Sequence, residues 1–242
     1  MIIRGLLVLI LLLFHALPSS AQFDRLLKDL GESLGLDMQQ AGLSDEKIVS
    51  GLKEALRVGT KNTVAMTGKR DGYFMNQAIK ILMPEKLQNF EQVLRGVGYG
   101  SQIDEFVLSM NRAAERAAPQ AQSIFWGAIK AMSFEDARKI LGGNATAATD
   151  YFKGKTTDKL AVAFKPIVDK AMNEVGVTRQ YKNLVEGFQA IPFVNIESID
   201  LDHYVTTKSL AGLFLVLGEE EKKIRTNPAA RVTDLLKEVF GK

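Results

Sequence analysis

Leu210 to Leu217 is the most restrictive stretch of this chain, because Leu, Ala, Phe and Val follow one another there with only Gly212 between them. A helix that is apolar all round has no face to offer water and must be covered on every side. The alternative is insertion into a bilayer, but the run falls far short of the roughly 20 apolar residues that a span needs. The residues therefore predict a central core helix from Asp202 to about Arg225. Glu219-Glu220-Glu221 and Lys222-Lys223 form its solvated end. Such a helix needs others around it, and 242 residues supply ample chain for a real core.

Composition narrows the chemistry. Hydrophobic residues make up 46% and charged residues 24%, ordinary values for a folded chain. The formal net charge is +3, too small a surplus to point to nucleic acid. There is no cysteine, which removes disulfides, thiolate metal sites and cysteine nucleophiles. Two histidines, His15 and His203, are too few for a multi-histidine metal centre. No cofactor and no metal is expected.

Residues 1–21 read as a secretory signal. Arg4 gives a positive start, Leu6 to Phe14 is an unbroken apolar run, and Pro18 ends it. Ser19-Ser20-Ala21 then places small residues for cleavage before Gln22. The competing reading is a membrane anchor, for which the run is short. The n-region is short and prokaryotic in style, so the expected destination is a periplasm, with no stable membrane span after cleavage. Residues 22–43, holding Gly31, Gly35 and Gly42, form a lead-in or linker. Residues 44–242 form one all-helical domain.

Along that domain the patterning is helical almost throughout. Ser44 caps a helix to about Met66, with Ile48, Leu52, Ala55, Leu56 and Gly59 as one apolar stripe. Residues 67–72 break it, and helix is expected again from Tyr73 to Leu82. Pro84 opens another to Leu94, ended by Gly96, Gly98 and Gly100. A helix from Ile103 to Ala118 kinks at Pro119 and continues to Met132. Ser133 with Asp136 begins the next, which Gly142-Gly143 stops. A short helix follows at 145–152, then a separate one from Thr157 to about Val175, then one from Thr178 to Phe188. Ile191 to Ile199 is a loop with some strand character. Pro228 opens a last helix to Phe240. The fold class is all-α, with about eight to ten helices around the buried Leu210 helix.

Several runs together resemble a known family. They are Gly51-Leu52-Lys53-Glu54-Ala55-Leu56, Gly72-Tyr73-Phe74, Ala78-Ile79-Lys80-Ile81 and Met110-Asn111-Arg112-Ala113-Ala114-Glu115. Tyr151-Phe152, Phe164-Lys165-Pro166-Ile167-Val168, Tyr204-Val205-Thr206 and Ala211-Gly212-Leu213-Phe214 complete the set. The chain is similar over about Leu43 to Phe240 to an exported bacterial domain-of-unknown-function family, number 4197. The resemblance implies an envelope location and a helical fold, and it supplies no reaction, cofactor or catalytic residue.

Two polar groupings stand out as candidate sites. Lys69-Arg70-Asp71-Gly72-Tyr73-Phe74-Met75-Asn76 brings charge, aromatic rings and an amide to a helix break. Turn chemistry with Asp71 as a cap explains it, and a ligand-facing loop built on Lys69, Arg70, Tyr73 and Asn76 is the functional reading. Asn111, Arg112, Glu115 and Arg116 share a helix, where Arg112 and Glu115, three apart, can pair. A buried structural network or an anion or partner site fits them. Tyr151, with Asp150 and Lys153, has the same ambiguity. His203, at the start of the long helix, is conceivable as a base, but no Gly-x-Ser-x-Gly elbow accompanies it. Gly96-Val97-Gly98-Tyr99-Gly100 lacks the preceding strand of a dinucleotide loop. The leading expectation is a non-enzymatic periplasmic protein that binds an apolar small molecule or an envelope protein partner. A hydrolase using acidic residues with His203 is the alternative, and a purely structural envelope role is the third reading.

Overall fold

A computed structural model describes residues 45–174 and 200–230. Among them there is no strand, and the α-helices are α1 (Asp45–Gly68), α2 (Gln88–Gly96), α3 (Gly100–Ala117), α4 (Ala121–Ala131), α5 (Phe134–Leu141), α6 (Ala147–Glu174) and α7 (Leu201–Thr226). Short 3-10 turns lie at Glu85–Leu87, Ala118–Gln120 and Pro228–Ala230. The all-α expectation holds. The count of eight to ten does not carry over to the described residues, for two physical reasons given below. The expected signal, the lead-in, the helix at 178–188, the loop at 191–199 and most of the helix after Pro228 lie outside the described residues.

α7 is the centre, packing on α6, α1 and α3, while α6 also packs on α3, α4 and α5. One contiguous core runs through them, with Phe106, Phe125, Phe152, Phe164, Leu213 and Val216 sealed from solvent. Phe125 stands edge-on to both Phe152 and Phe214, at centroid distances of 5.1 and 6.2 Å, the arrangement that aromatic quadrupoles favour.

α6 is one helix where the sequence suggested two. Ala148, Phe152, Thr156, Leu160, Phe164, Val168 and Met172 form an uninterrupted buried row at four-residue spacing. Thr157, read as a cap, instead turns its hydroxyl back to the Lys153 carbonyl at 2.7 Å, and Thr156 does the same to Phe152 at 2.6 Å. A threonine whose hydroxyl is satisfied inside the helix has no capping to do. The start of α6 is capped from elsewhere. Glu221 of α7 accepts the Ala148 and Thr149 N–H groups at 3.0 and 2.9 Å and the Thr149 hydroxyl at 2.8 Å. Arg225 pairs with that carboxylate at 2.9 Å and donates to the Ile140 carbonyl in α5. The acid run Glu219–Glu221 is therefore only partly a solvated end, since Glu220 and Glu221 are both buried.

The segment expected to be helical from Tyr73 to Leu82 is instead a series of turns, followed by residues without regular secondary structure from Lys80 to Pro84. Asp71 takes the left-handed conformation at φ 67°, which Asp tolerates better than most residues. At Gly72 any Cβ would lie 2.3 Å from the Met66 carbonyl oxygen, so only glycine lets the chain reverse this closely against α1. Beyond the turn, Ile79, Ile81 and Met83 are buried while Leu82 is exposed and Lys80 is half-buried between them.

Candidate functional site

An irregular segment needs partners for its backbone groups, and α3 supplies them. The carboxylate of Glu115 accepts the Tyr73 N–H at 3.1 Å and the Phe74 N–H at 3.2 Å. Arg112 donates to Glu115 at 2.6 Å and reaches Asp71 on the segment, also at 2.6 Å. One turn earlier, Asn111 accepts the Ile81 N–H at 2.9 Å and donates to the Ile81 carbonyl at 2.7 Å, as a neighbouring strand would. Partial burial works against the Arg112 charge, yet its hydrogen bonds to Glu115 and Asp71 win, and its pKa lies above the ordinary arginine value. The three polar residues of α3 thus hold residues 71–81 like a clasp.

The other side of the segment rests on α7. Tyr73 is fully buried and donates its hydroxyl to the Ser209 carbonyl at 2.6 Å. Burial, followed by the nearby Glu115 charge, pushes its phenol far above the usual tyrosine range, so it stays neutral. Its ring lies against Gly212, where a Cβ would come within 2.7 Å of Cε1. Gly212, the single break in the apolar run, is thus the notch that admits Tyr73.

Between residues 78–85 and α7 a groove of about 310 Å³ remains. Its walls include Ile79, Ile81, Leu82, Ala211 and Leu215, with Lys80, Glu85, Tyr204 and Lys208 among its polar groups. Tyr204 closes one contact across it, donating its hydroxyl to the Leu82 carbonyl at 3.0 Å. Partial burial, then the Glu85 charge, raises the Tyr204 pKa. Leu82 is 55% exposed and Leu215 44% exposed. The Leu210 helix is therefore not covered all round: Leu210, Leu213, Phe214, Val216 and Leu217 are buried, but Ala211 and Leu215 open onto this groove. A second recess, among α1, α5, α6 and α7, has about 30 Å³ of free space, enough for a water or two and no more.

The expected site residues separate accordingly. Tyr73, Asn111, Arg112 and Glu115 come together, joined by Asp71, in the clasp behind the groove. Asn76 accepts the Ala78 N–H with its side chain and shapes the turn. Lys69 and Arg70 are exposed on the turn before it. Arg116 pairs with Glu174 at 2.7 Å on α6. Tyr151 belongs to another surface, packed edge-on to Phe152 with its hydroxyl 3.4 Å from the Ala128 carbonyl, its pKa raised by burial and then by Asp136. His203 is exposed in the first turn of α7, where its backbone N–H is capped by Asp200 at 2.9 Å. Among the described residues no group of three or more His, Asp or Glu side chains is placed to hold a metal, and no helix is long and apolar enough to cross a membrane. Lys80, Leu82, Tyr204, Lys208 and Leu215 were not among the candidate site residues read from the sequence. The one available signal is that Tyr204, Lys208, Ala211 and Leu215 recur at three and four residues on one helix face.

A family model described as "Protein of unknown function (DUF4197)" matches residues 42–241. No curated protein and no solved structure matches the chain.

Proposed function

The chain belongs to the DUF4197 family of proteins of unknown function, and we propose that it is an exported, non-enzymatic binding protein whose ligand lies in the groove between residues 78–85 and α7. One observation carries this reading: in a run of residues apolar enough for a sealed core, Leu215 stays 44% exposed opposite a 55% exposed Leu82, across a groove of about 310 Å³. Concave sites with apolar walls and a few polar groups are where small molecules bind, and this volume is at the lower end of their range. The clasp supports the same reading from behind. It fixes the backbone of one wall, so the groove is formed before any ligand arrives and little ordering remains at binding.

Export rests on residues 1–21, whose charged start, apolar run and small-residue exit form a signal for cleavage after Ala21. The test is native mass spectrometry of the protein purified from an envelope extract, compared with Leu215→Asp. A retained mass that the variant lacks, with the fold unchanged by circular dichroism, supports a groove ligand. A wild-type protein that carries no retained mass and binds no apolar probe saturably would end the proposal.

A further inference from the structure

We propose that the groove takes a single-chain amphiphile with a carboxylate head, its alkyl chain against Leu82, Ala211 and Leu215 and its head between Lys80 and Lys208. This inference rests on the reading of the groove as a binding site and adds the class of ligand. The Lys80 ammonium lies 4.3 Å from the centroid of the Phe74 ring, and the Lys208 ammonium lies 5.7 Å from that of Tyr204. Both residues line the groove. Among the described residues neither ammonium is within ion-pair distance of a carboxylate. Cation–π contact restrains each ammonium without neutralising it. Two such cations beside exposed apolar walls match a molecule with an apolar body and an anionic end.

The charge count narrows the head. Glu85 is the single acid that lines the groove, so the lining carries two cations and one anion. One negative charge balances it, as a carboxylate does, whereas a doubly charged phosphate monoester overshoots. Lysine acts as a point charge with three donors and does not impose the planar fork by which arginine selects phosphate, so nothing in the lining disfavours a small carboxylate. The volume narrows the tail. A groove of about 310 Å³ is small even for drug-sized ligands, which fits one chain and excludes a two-chain lipid.

The test compares dodecanoate with dodecanol and dodecyl phosphate by calorimetric titration of the purified protein, each probe held below its aggregation concentration. Dodecanoate is expected to bind about tenfold more tightly than dodecanol, two exposed ion pairs each contributing a factor of about three. That advantage shrinks at 0.5 M salt, because salt screens the lysine charges. In Lys80→Gln/Lys208→Gln the two probes become equal, the loss falling on dodecanoate. Equal affinity of dodecanoate and dodecanol in the wild type, or an advantage that survives in the double variant, overturns the head assignment and leaves the groove reading intact. Tighter binding of dodecyl phosphate than of dodecanoate overturns the carboxylate class. If none of the three binds saturably, the groove reading fails and this inference with it.

Discussion

Glu115 is only 4% exposed, and its carboxylate serves two backbone N–H groups and one guanidinium at once. Glu115→Ala removes the acceptor for all three and leaves the partly buried Arg112 with Asp71 as its remaining carboxylate partner. It should cost about 3–5 kcal/mol, read as a lowered midpoint in denaturant unfolding. Arg112→Ala leaves the carboxylate its two N–H donors, so a smaller loss of about 1–3 kcal/mol is expected. Groove ligands should bind that variant as before, since Arg112 does not line the groove. Unchanged stability with lost ligand would instead make Arg112 a site residue. Gly212→Ala forces a methyl within 2.7 Å of the Tyr73 ring, which its Ser209 bond holds in place, and should cost about 1–3 kcal/mol. The Arg112–Glu115 pair was legible, because three-residue spacing on a helix brings side chains together whatever surrounds them. Asp71, on the other side of the same guanidinium, was read only as a helix cap, because its partner is 41 positions away.

Among the helices, α5 shows what local sequence controls. Ser133 and Asp136 form the expected capping box, the Ser133 hydroxyl accepting from the Asp136 N–H at 3.0 Å and the Asp136 carboxylate accepting from the Ser133 N–H at 3.1 Å. Those bonds to Ser133 hold the Asp136 pKa below its ordinary value of 3.8. A carboxylate with a depressed folded pKa stabilises the fold above its unfolded pKa and loses that contribution as pH falls through the folded one. Separately, Ser133→Ala removes the N-cap hydroxyl of α5 and should cost about 1 kcal/mol at neutral pH. The difference from wild type should narrow as pH drops below about 4, which pH-dependent denaturant titrations of both proteins would detect. α7 shows the limit of local reading. Phe214 and Leu215 are neighbours in one apolar run, yet Phe214 is buried and Leu215 opens on the groove. Phe214→Ala should cost about 3–5 kcal/mol. Leu215→Ala should shift stability by less than about 1 kcal/mol, its main effect being weaker binding of an apolar probe. A large stability loss at Leu215 would show that residue to be core.

For the whole molecule, the proposed export makes one sharp expectation: N-terminal sequencing of the mature protein should begin at Gln22, and an intact Met1 species in the membrane fraction would refute it. The all-helical class of the described residues, the bounds of α1, α4, α5 and α7, the cap at Ser133 and the core role of Leu210, Leu213, Phe214, Val216 and Leu217 followed from sequence alone, whereas the exposure of Ala211 and Leu215 did not. Helix periodicity, caps and glycine stops act within one or two turns of the residues that carry them. Tertiary structure decided the rest. Residues 73–82 contain nothing that forbids a helix, but Glu115 and Asn111 satisfy their backbone from α3, so the segment runs irregular. Residues 145–175 carry helix-start signals that a continuous buried row overrides. The groove exists only because that irregular segment, too narrow to cover a whole helix face, crosses α7 and leaves Ala211 and Leu215 open beside it. A sequence can show that a helix is apolar all round, but which of its faces remains uncovered depends on where a distant segment is pinned, and that is a property of contacts between residues far apart in the chain.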